Sequence, residues 1–473
     1  MNVHHKPVPR RIVGRCLTWV LVIGFVSAAG LSNLIMADSV KAANPIEGTE
    51  TWIQQFLDKI FKRGQVEIPV PKFEPGAPPS AILRLSVEDA MAMFLKQNLD
   101  LIIANYGIDA AKGRQITARM FPNPTLSVNT FSAYTQGCNI AKCGAVTPTL
   151  SQLFEVAGRR GYRTEAATFD TMSLEAKFED TVRQLGFALK ETYFRVQRQR
   201  GHLKVDQEVQ GVLVRLLQGK SDELSPKSSD LDRLRLGLLA VNADAEVLKD
   251  LQNIEEVSGD LRMMLGILPD VELELTTELV YRKIEPNFAS LVDYALENRP
   301  DIRAKHLTLD KKKSELKLAK AIRYPNVTTE LGYMMQGPRG PDNQQQWALN
   351  LSVPLPVFNR NQGGIVEAEV GVKAIEAEIA KTKIQIRNEV AVSYRKFIHG
   401  RKIVDAMNGA LEQASTLFRA AQQSYKSGDV GILDLENTRR SYGDTEESYL
   451  EAVFGYEENW LRLEWAVGRD IAF

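Results

Sequence analysis

Apolar residues recur every seventh position through the C-terminal half of the chain: Ile365, Val372, Ile379 and Ile386, then, after a shift of four, Val390, Phe397, Val404, Leu411, Phe418 and Tyr425. A seven-residue period marks the seam of a coiled coil, and a shift of four is a stutter that locally unwinds it. Beyond the glycine turn KSGDVG the row resumes at Leu435, Tyr442, Tyr449, Tyr456 and Leu463. The pattern predicts an antiparallel helical hairpin with arms of about 60 residues, or about 90 Å at 1.5 Å per residue. A first copy is predicted from Gly161 to Leu268, turning near QGKSDELSPKSSD. Such rows ordinarily build the core of a soluble bundle, but these arms are too long for a compact domain.

The period changes from seven to two just ahead of each long helix. TLSVNTFSAY and TPTLSQLFEV, then NVTTELGYMM and WALNLSVPLPVF, alternate as strands do, with Thr125, Ser127 and Asn129 on one face and Leu126, Val128 and Thr130 on the other. Each pair is split by a polar loop and so predicts a β-hairpin, the last strand running from Leu351 to Phe358. Upstream of each hairpin lie two helical runs with an Asn before an Asp between them (Asn98 and Asp100; Asn298 and Asp301) and an aromatic-Pro-Asn stop (Phe121-Pro122-Asn123; Tyr324-Pro325-Asn326). One plan is therefore written twice, over 85–270 and 287–473, joined by a linker at 271–286. Residues 43–84 form a lead-in, with the amphipathic piece TETWIQQFLDKIFKRG and the proline-rich IPVPKFEPGAPPS.

The strand-to-helix junctions carry special backbone chemistry. Gly158 and Arg159 stand at the first; Pro356, Arg360 and Gly363 stand at the second, where proline ends ladder bonding and glycine turns the chain. Arg159-Arg160-Gly161 is matched with Arg360-Asn361-Gln362.

Composition narrows the function. With 44% hydrophobic and 25% charged residues the chain is mainly water-facing, and Lys plus Arg equal Asp plus Glu at 59 each, so nothing favours nucleic acid. At the N-terminus His4, His5, Lys6, Arg10, Arg11 and Arg15 precede CLTWVLVIGFVSAAG, and VKA ends at Ala42; residues 1–42 read as an export signal, although their length also suits an uncleaved anchor. Cys16 lies ahead of the apolar core, not at a cleavage point. Cys138 and Cys143 sit in one polar loop and suit a disulfide better than a metal shell, which two thiolates do not complete. QGKS lacks the first glycine of a phosphate loop, and HExxH, CxxC and GxSxG are all missing. His202, His306 and His399 are far apart and read as helix-surface residues. No catalytic residue, cofactor or metal site is expected.

No later segment is apolar enough for a membrane helix, so a membrane would have to be crossed by strands. Four strands cannot close a barrel, which takes about eight, and an open edge is not tolerated in lipid. An oligomer is required, and three chains would supply twelve strands above a ring of long helices.

The duplicated plan from Leu85 to the C-terminus resembles the TolC-like outer-membrane efflux proteins. LFEVAGRRGYR and PLPVFNRNQGGI are most similar to the branch serving heavy-metal cation exporters, the CzcC and CusC type. The resemblance implies a mainly α fold with a small β part, closing as a homotrimeric 12-stranded barrel in outer-membrane lipid and an α-helical tunnel in the periplasm. It implies a passive conduit whose partners are a periplasmic adaptor and an inner-membrane pump, a proton-driven one by branch. YKSGDVGILDLENTRR is similar to the family's periplasmic tip, where acidic residues form a constriction. Asp434 falls on a ring-aspartate position and Asn437 on the next, with Asp230 and Asp232 as first-copy counterparts; Asp429 and Glu436 complete the candidate gate. Drug efflux or type I secretion remains open as the service, and a periplasmic coiled-coil adaptor as the class.

Overall fold

The computed structural model describes residues 81–132, 144–218, 230–277, 281, 286–337 and 345–469. The expected signal, the lead-in up to residue 80, and Cys138 and Cys143 lie outside them.

The element order repeats. The first half runs β1 (Ala81–Leu85), α1 (Val87–Gln97), α2 (Leu99–Arg119), β2 (Thr125–Ser132), β3 (Gly144–Phe154), α3 (Arg159–Gln218) and α4 (Asp230–Leu265). The second runs β4 (Val271–Leu275), α5 (Phe288–Asn298), α6 (Pro300–Ala321), β5 (Val327–Gln336), β6 (Gln346–Ser352), α7 (Gln362–Ser427) and α8 (Ile432–Val467). β1 and β4 pair in parallel from Ala81↔Val271 to Leu85↔Leu275. The four other strands form one antiparallel sheet in the order β2-β3-β5-β6, so β3 and β5 weld the two hairpins together.

Local chemistry sets the boundaries. Ser86 and Asp89 make a capping box on α1, with Asp89 N donating to Ser86 Oγ at 3.1 Å and Ser86 N to Asp89 Oδ2 at 3.2 Å. Asn98 caps α2 by accepting from Leu101 N at 3.1 Å, and Pro300 opens α6, where a missing N–H costs nothing. Gly428 ends α7 in the left-handed region at φ 80°.

The seven-residue rows point inward. Ile379, Ile386, Val390, Phe397, Val404, Tyr425, Leu435, Tyr456 and Leu463 are all buried, and Phe397 packs at ring distances of 5.2 Å from Tyr456 and 5.3 Å from Trp460. Phe418 stacks on Tyr442 at 5.5 Å nearer the turn.

Three expectations need correction. The hairpin arms are unequal: α3 and α7 have 60 and 66 residues, but α4 and α8 have 36 each. The strand-proximal part of each long helix is packed by a short helix instead, as Gln115 Nε2 to Thr168 Oγ1 at 2.8 Å (α2 on α3) and Lys320 to Glu369 at 3.5 Å (α6 on α7) record. Secondly, β6 stops at Ser352 and does not reach Phe358, because Pro354 and Pro356 cannot donate to a ladder. Thirdly, the partner of Asn98 is Arg299, not Asn298: both are single extended residues between two helices, at φ/ψ −63/124 and −62/134.

Candidate functional site

Register places a row of large apolar residues on one face of the sheet. Leu126 pairs with Leu150, Leu150 with Leu331 and Leu331 with Leu349, a continuous row across the four strands. Their exposures are 69%, 50%, 47% and 77%, and Trp347 and Leu351 flank the row at 71% and 68%. Ser127 with Thr149 and Glu330 with Asn350 alternate onto the other face. Large apolar residues in a row and open to the outside have the pattern of a strand with one face to lipid, and the 11 and 10 residues of β3 and β5 match the length of a tilted membrane strand. β2 and β6 each have one unpaired edge in the sheet. Among the described residues no helix is long and apolar enough to cross a membrane.

At the first junction Ala157 and Gly158 are both left-handed, at φ 56° and 72°, and turn the chain from β3 into α3. Arg159 reaches into the other repeat and caps the end of α6: Nη2 donates to the Ile322 carbonyl at 2.9 Å and also to Tyr324, and Nε donates to Ala321 at 3.4 Å. Arg163 caps α2 through Ala118 at 3.1 Å, with Glu155 neutralising it at 2.6 Å. At the second junction Asn361 is the left-handed residue, at φ 59°, and donates to the Ala319 carbonyl at 2.9 Å. Each left-handed residue directly precedes its helix, which matches Gly158 to Asn361 and moves the expected Arg159–Arg360 correspondence by two positions. Arg360 Nε donates to Pro356 at 3.1 Å. Gly363 faces open space, whereas a Cβ on Gly364 would lie 2.5 Å from Asn361 Oδ1. The steric need for glycine therefore falls on Gly364, which the sequence pattern did not single out.

At the tip, Asp429 N closes the α7 terminus on the Ser424 carbonyl at 2.9 Å, and its carboxylate accepts from Ser427 Oγ at 2.6 Å. Asp434 is exposed in the first turn of α8. Glu436 is half-buried and bound by Arg439 at 2.5 Å, which cancels its charge locally. Asp230 and Asp232 lie in the first turn of α4, as Asp434 does in that of α8.

His202 is not a free surface residue. It bridges two repeats, with Nδ1 3.2 Å from Glu447 and Nε2 3.0 Å from Glu451 on α8. One turn further along α3, Asp206 hydrogen-bonds to Asp250 of α4, and burial first, then neighbouring carboxylates, push both carboxyls up. Only three-dimensional proximity reveals this cluster, since its members lie on three helices. His306 and His399 are exposed, and among the described residues no group of three or more His, Cys, Asp or Glu is arranged to hold a metal.

Comparison with known proteins agrees with this geometry. Residues 291–469 match the outer membrane efflux protein family. The cobalt-zinc-cadmium resistance protein CzcC of Cupriavidus metallidurans is 22% identical over 378 residues, covering 80% of this chain and 88% of that protein. The open-state outer membrane channel MtrE of Neisseria gonorrhoeae superposes with a TM-score of 0.68 at 18% identity, over 81% of this chain and 89% of that one. The CusC structure superposes at 0.63 and 16% identity, over 86% and 98%. The repeated helix, hairpin and long-helix plan, the sheet's exposed apolar row and the match over residues 291–469 together make the chain similar to the outer membrane efflux proteins in fold and in the sequence of its second repeat.

Proposed function

We propose that three copies of this chain close a 12-stranded barrel and a helical tunnel, forming the outer-membrane conduit of a tripartite system that exports heavy-metal cations. The observation that carries the oligomer is the four-stranded sheet with an apolar face and two unpaired edges. In lipid each lone edge would leave several backbone groups without partners, at several kcal/mol apiece, whereas β2 of one copy against β6 of the next satisfies them all. A soluble adaptor would leave Leu126, Trp347, Leu349 and Leu351 in water, which disfavours the scaffold reading.

A heavy-metal cargo is supported by the likeness to CzcC, a cobalt-zinc-cadmium resistance protein. The conduit is passive, and the driving energy comes from an inner-membrane pump reached through a periplasmic adaptor. Asp434, with Asp230 and Asp232 of the first repeat, supplies the acidic ring at the tunnel mouth, where threefold symmetry concentrates negative charge and attracts cations. Glu436 contributes less because Arg439 holds it.

Deleting the gene and challenging cells with cobalt, zinc and cadmium salts tests the cargo. Increased sensitivity to at least one, restored by the intact gene, is the expected result; unchanged metal tolerance together with new sensitivity to organic drugs would reassign the cargo.

A further inference from the structure

Where the second repeat passes from helix to sheet there is a cavity of about 490 Å³ lined by Ala157, Tyr162, Lys317, Lys320, Ala321, Arg323, Tyr324 and Ile365. It lies against the end of α6 and the first turns of α3 and α7, three residues ahead of β5. Its charge balance is positive. Lys317 pairs with Glu165 at 3.2 Å and Lys320 with Glu369 at 3.5 Å. Arg323 is exposed and has no side-chain partner among the described residues. The Arg159 guanidinium, which does not line the cavity, is spent on the carbonyls of Ala321, Ile322 and Tyr324. Those same contacts, with Asn361 on Ala319, remove the negative end of α6 from the cavity.

The first repeat carries different residues at the matching positions. Counting back from Phe121 as from Tyr324, the residues at the positions of Lys317, Lys320 and Arg323 are Arg114, Thr117 and Met120. Arg114 is bound to Asp170 at 3.1 Å, and Met120 is exposed. The three basic positions are thus not shared by the two repeats.

Its level in the fold selects the ligand. The apolar face of the sheet runs down to the Phe154–Val327 pair, with Phe154 52% exposed, and the cavity begins immediately beyond. Tyrosine and arginine or lysine together at the end of a lipid-facing strand belong to the headgroup layer. We propose that this cavity binds the phosphate of an anionic glycerophospholipid headgroup, with Arg323 and Lys320 as its cationic contacts and Tyr162 and Tyr324 as hydroxyl donors. The site rests on the outer-membrane reading and adds to it a fixed lipid per chain at the level where barrel becomes tunnel.

The test is native mass spectrometry of the full-length protein, extracted from outer membranes in a nonionic detergent and titrated with phosphatidylglycerol, phosphatidylcholine or inorganic phosphate. The unaltered protein should retain phosphatidylglycerol in preference to phosphatidylcholine. Lys320→Gln with Arg323→Gln should weaken phosphatidylglycerol binding about tenfold or more, Arg323→Lys should restore part of it, and Arg114→Gln should leave it unchanged. Equal retention by the double variant, or no preference between the two lipids, would overturn the site. Inorganic phosphate bound in an Arg323-dependent way with no lipid retained would overturn the headgroup assignment. Membrane fractionation of the same preparation reads the outer-membrane location separately, so failure of the lipid site and failure of that location are distinguishable.

Discussion

Asn98 and Arg299 occupy the same bend in the two repeats and do the same job with different chemistry. Asn98 Nδ2 donates to the Met264 carbonyl at 3.0 Å and Arg299 Nη1 donates to the Ala466 carbonyl at 2.8 Å, each the next-to-last residue of its returning helix. The two side chains are 6% and 2% exposed, so each ties the end of a 36-residue helix to the start of a short one in a nearly dry setting.

The two ties differ in what their loss leaves behind. Arg299 also holds Asp301 at 2.6 Å and Glu389 at 2.7 Å, so Arg299→Ala strands two carboxylates and is expected to cost about 3–5 kcal/mol. Asn98→Ala breaks neutral hydrogen bonds and should cost about 1–3 kcal/mol. Thermal unfolding of the solubilised variants ranks them, and the opposite order would remove Arg299 from its central place.

Acid and neutral pH should act on two clusters in opposite senses. Burial alone would raise the Asp301 carboxyl, but the Arg299 guanidinium holds it below the ordinary 3.8, so its stabilisation is present above 3.8 and lost as pH falls through the folded-state value. Asp206 and Asp250 are raised, so their contribution is fully present below 3.8 and is lost as pH rises through their folded-state values. Asp250→Asn should therefore raise the unfolding temperature at neutral pH, and the gain should shrink as pH approaches 3.8. A gain that grows toward acid would show that the pair is not proton-sharing.

Backbone strain at the first junction is separable from side-chain packing. A Cβ on Gly158 meets only the Tyr162 ring, at 3.5 Å, so Gly158→Val should cost about 1–2 kcal/mol through its left-handed backbone. Ala157 has the same handedness, and Ala157→Gly should be neutral to stabilising in the same unfolding assay.

Charge at the tip is expected to matter only where it is free. Asp434→Asn should lower the cation preference of single channels in planar bilayers, read as the reversal potential across a salt gradient. Glu436→Gln should change it less, because Arg439 already neutralises Glu436. Equal effects of the two substitutions would remove Asp434 from the gate.

The parts of the fold legible in the sequence are those written as a period. Val390, Phe397 and Val404 on one arm and Tyr456 and Leu463 on the other were readable because a seven-residue spacing has one buried solution, and the alternation of Leu126 and Val128 was readable for the same reason at period two. What could not be read depends on partners distant in sequence. β1 and β4 are five-residue strands paired across 190 positions, as Ala81 with Val271 illustrates, and nothing local marks them. The match of Asn98 to Asn298 followed the letter, whereas the equivalence with Arg299 follows the bend and the carbonyl it serves. Likewise the Asp206–Asp250 pair becomes significant only once α4 is brought against α3.

The closing of β2 on β6 between copies is tested most directly by counting chains in the complex extracted from outer membranes, by native mass spectrometry in detergent. Three chains per particle is the predicted result, giving each sheet edge a partner. A particle of one or two chains that still conducts would contradict it.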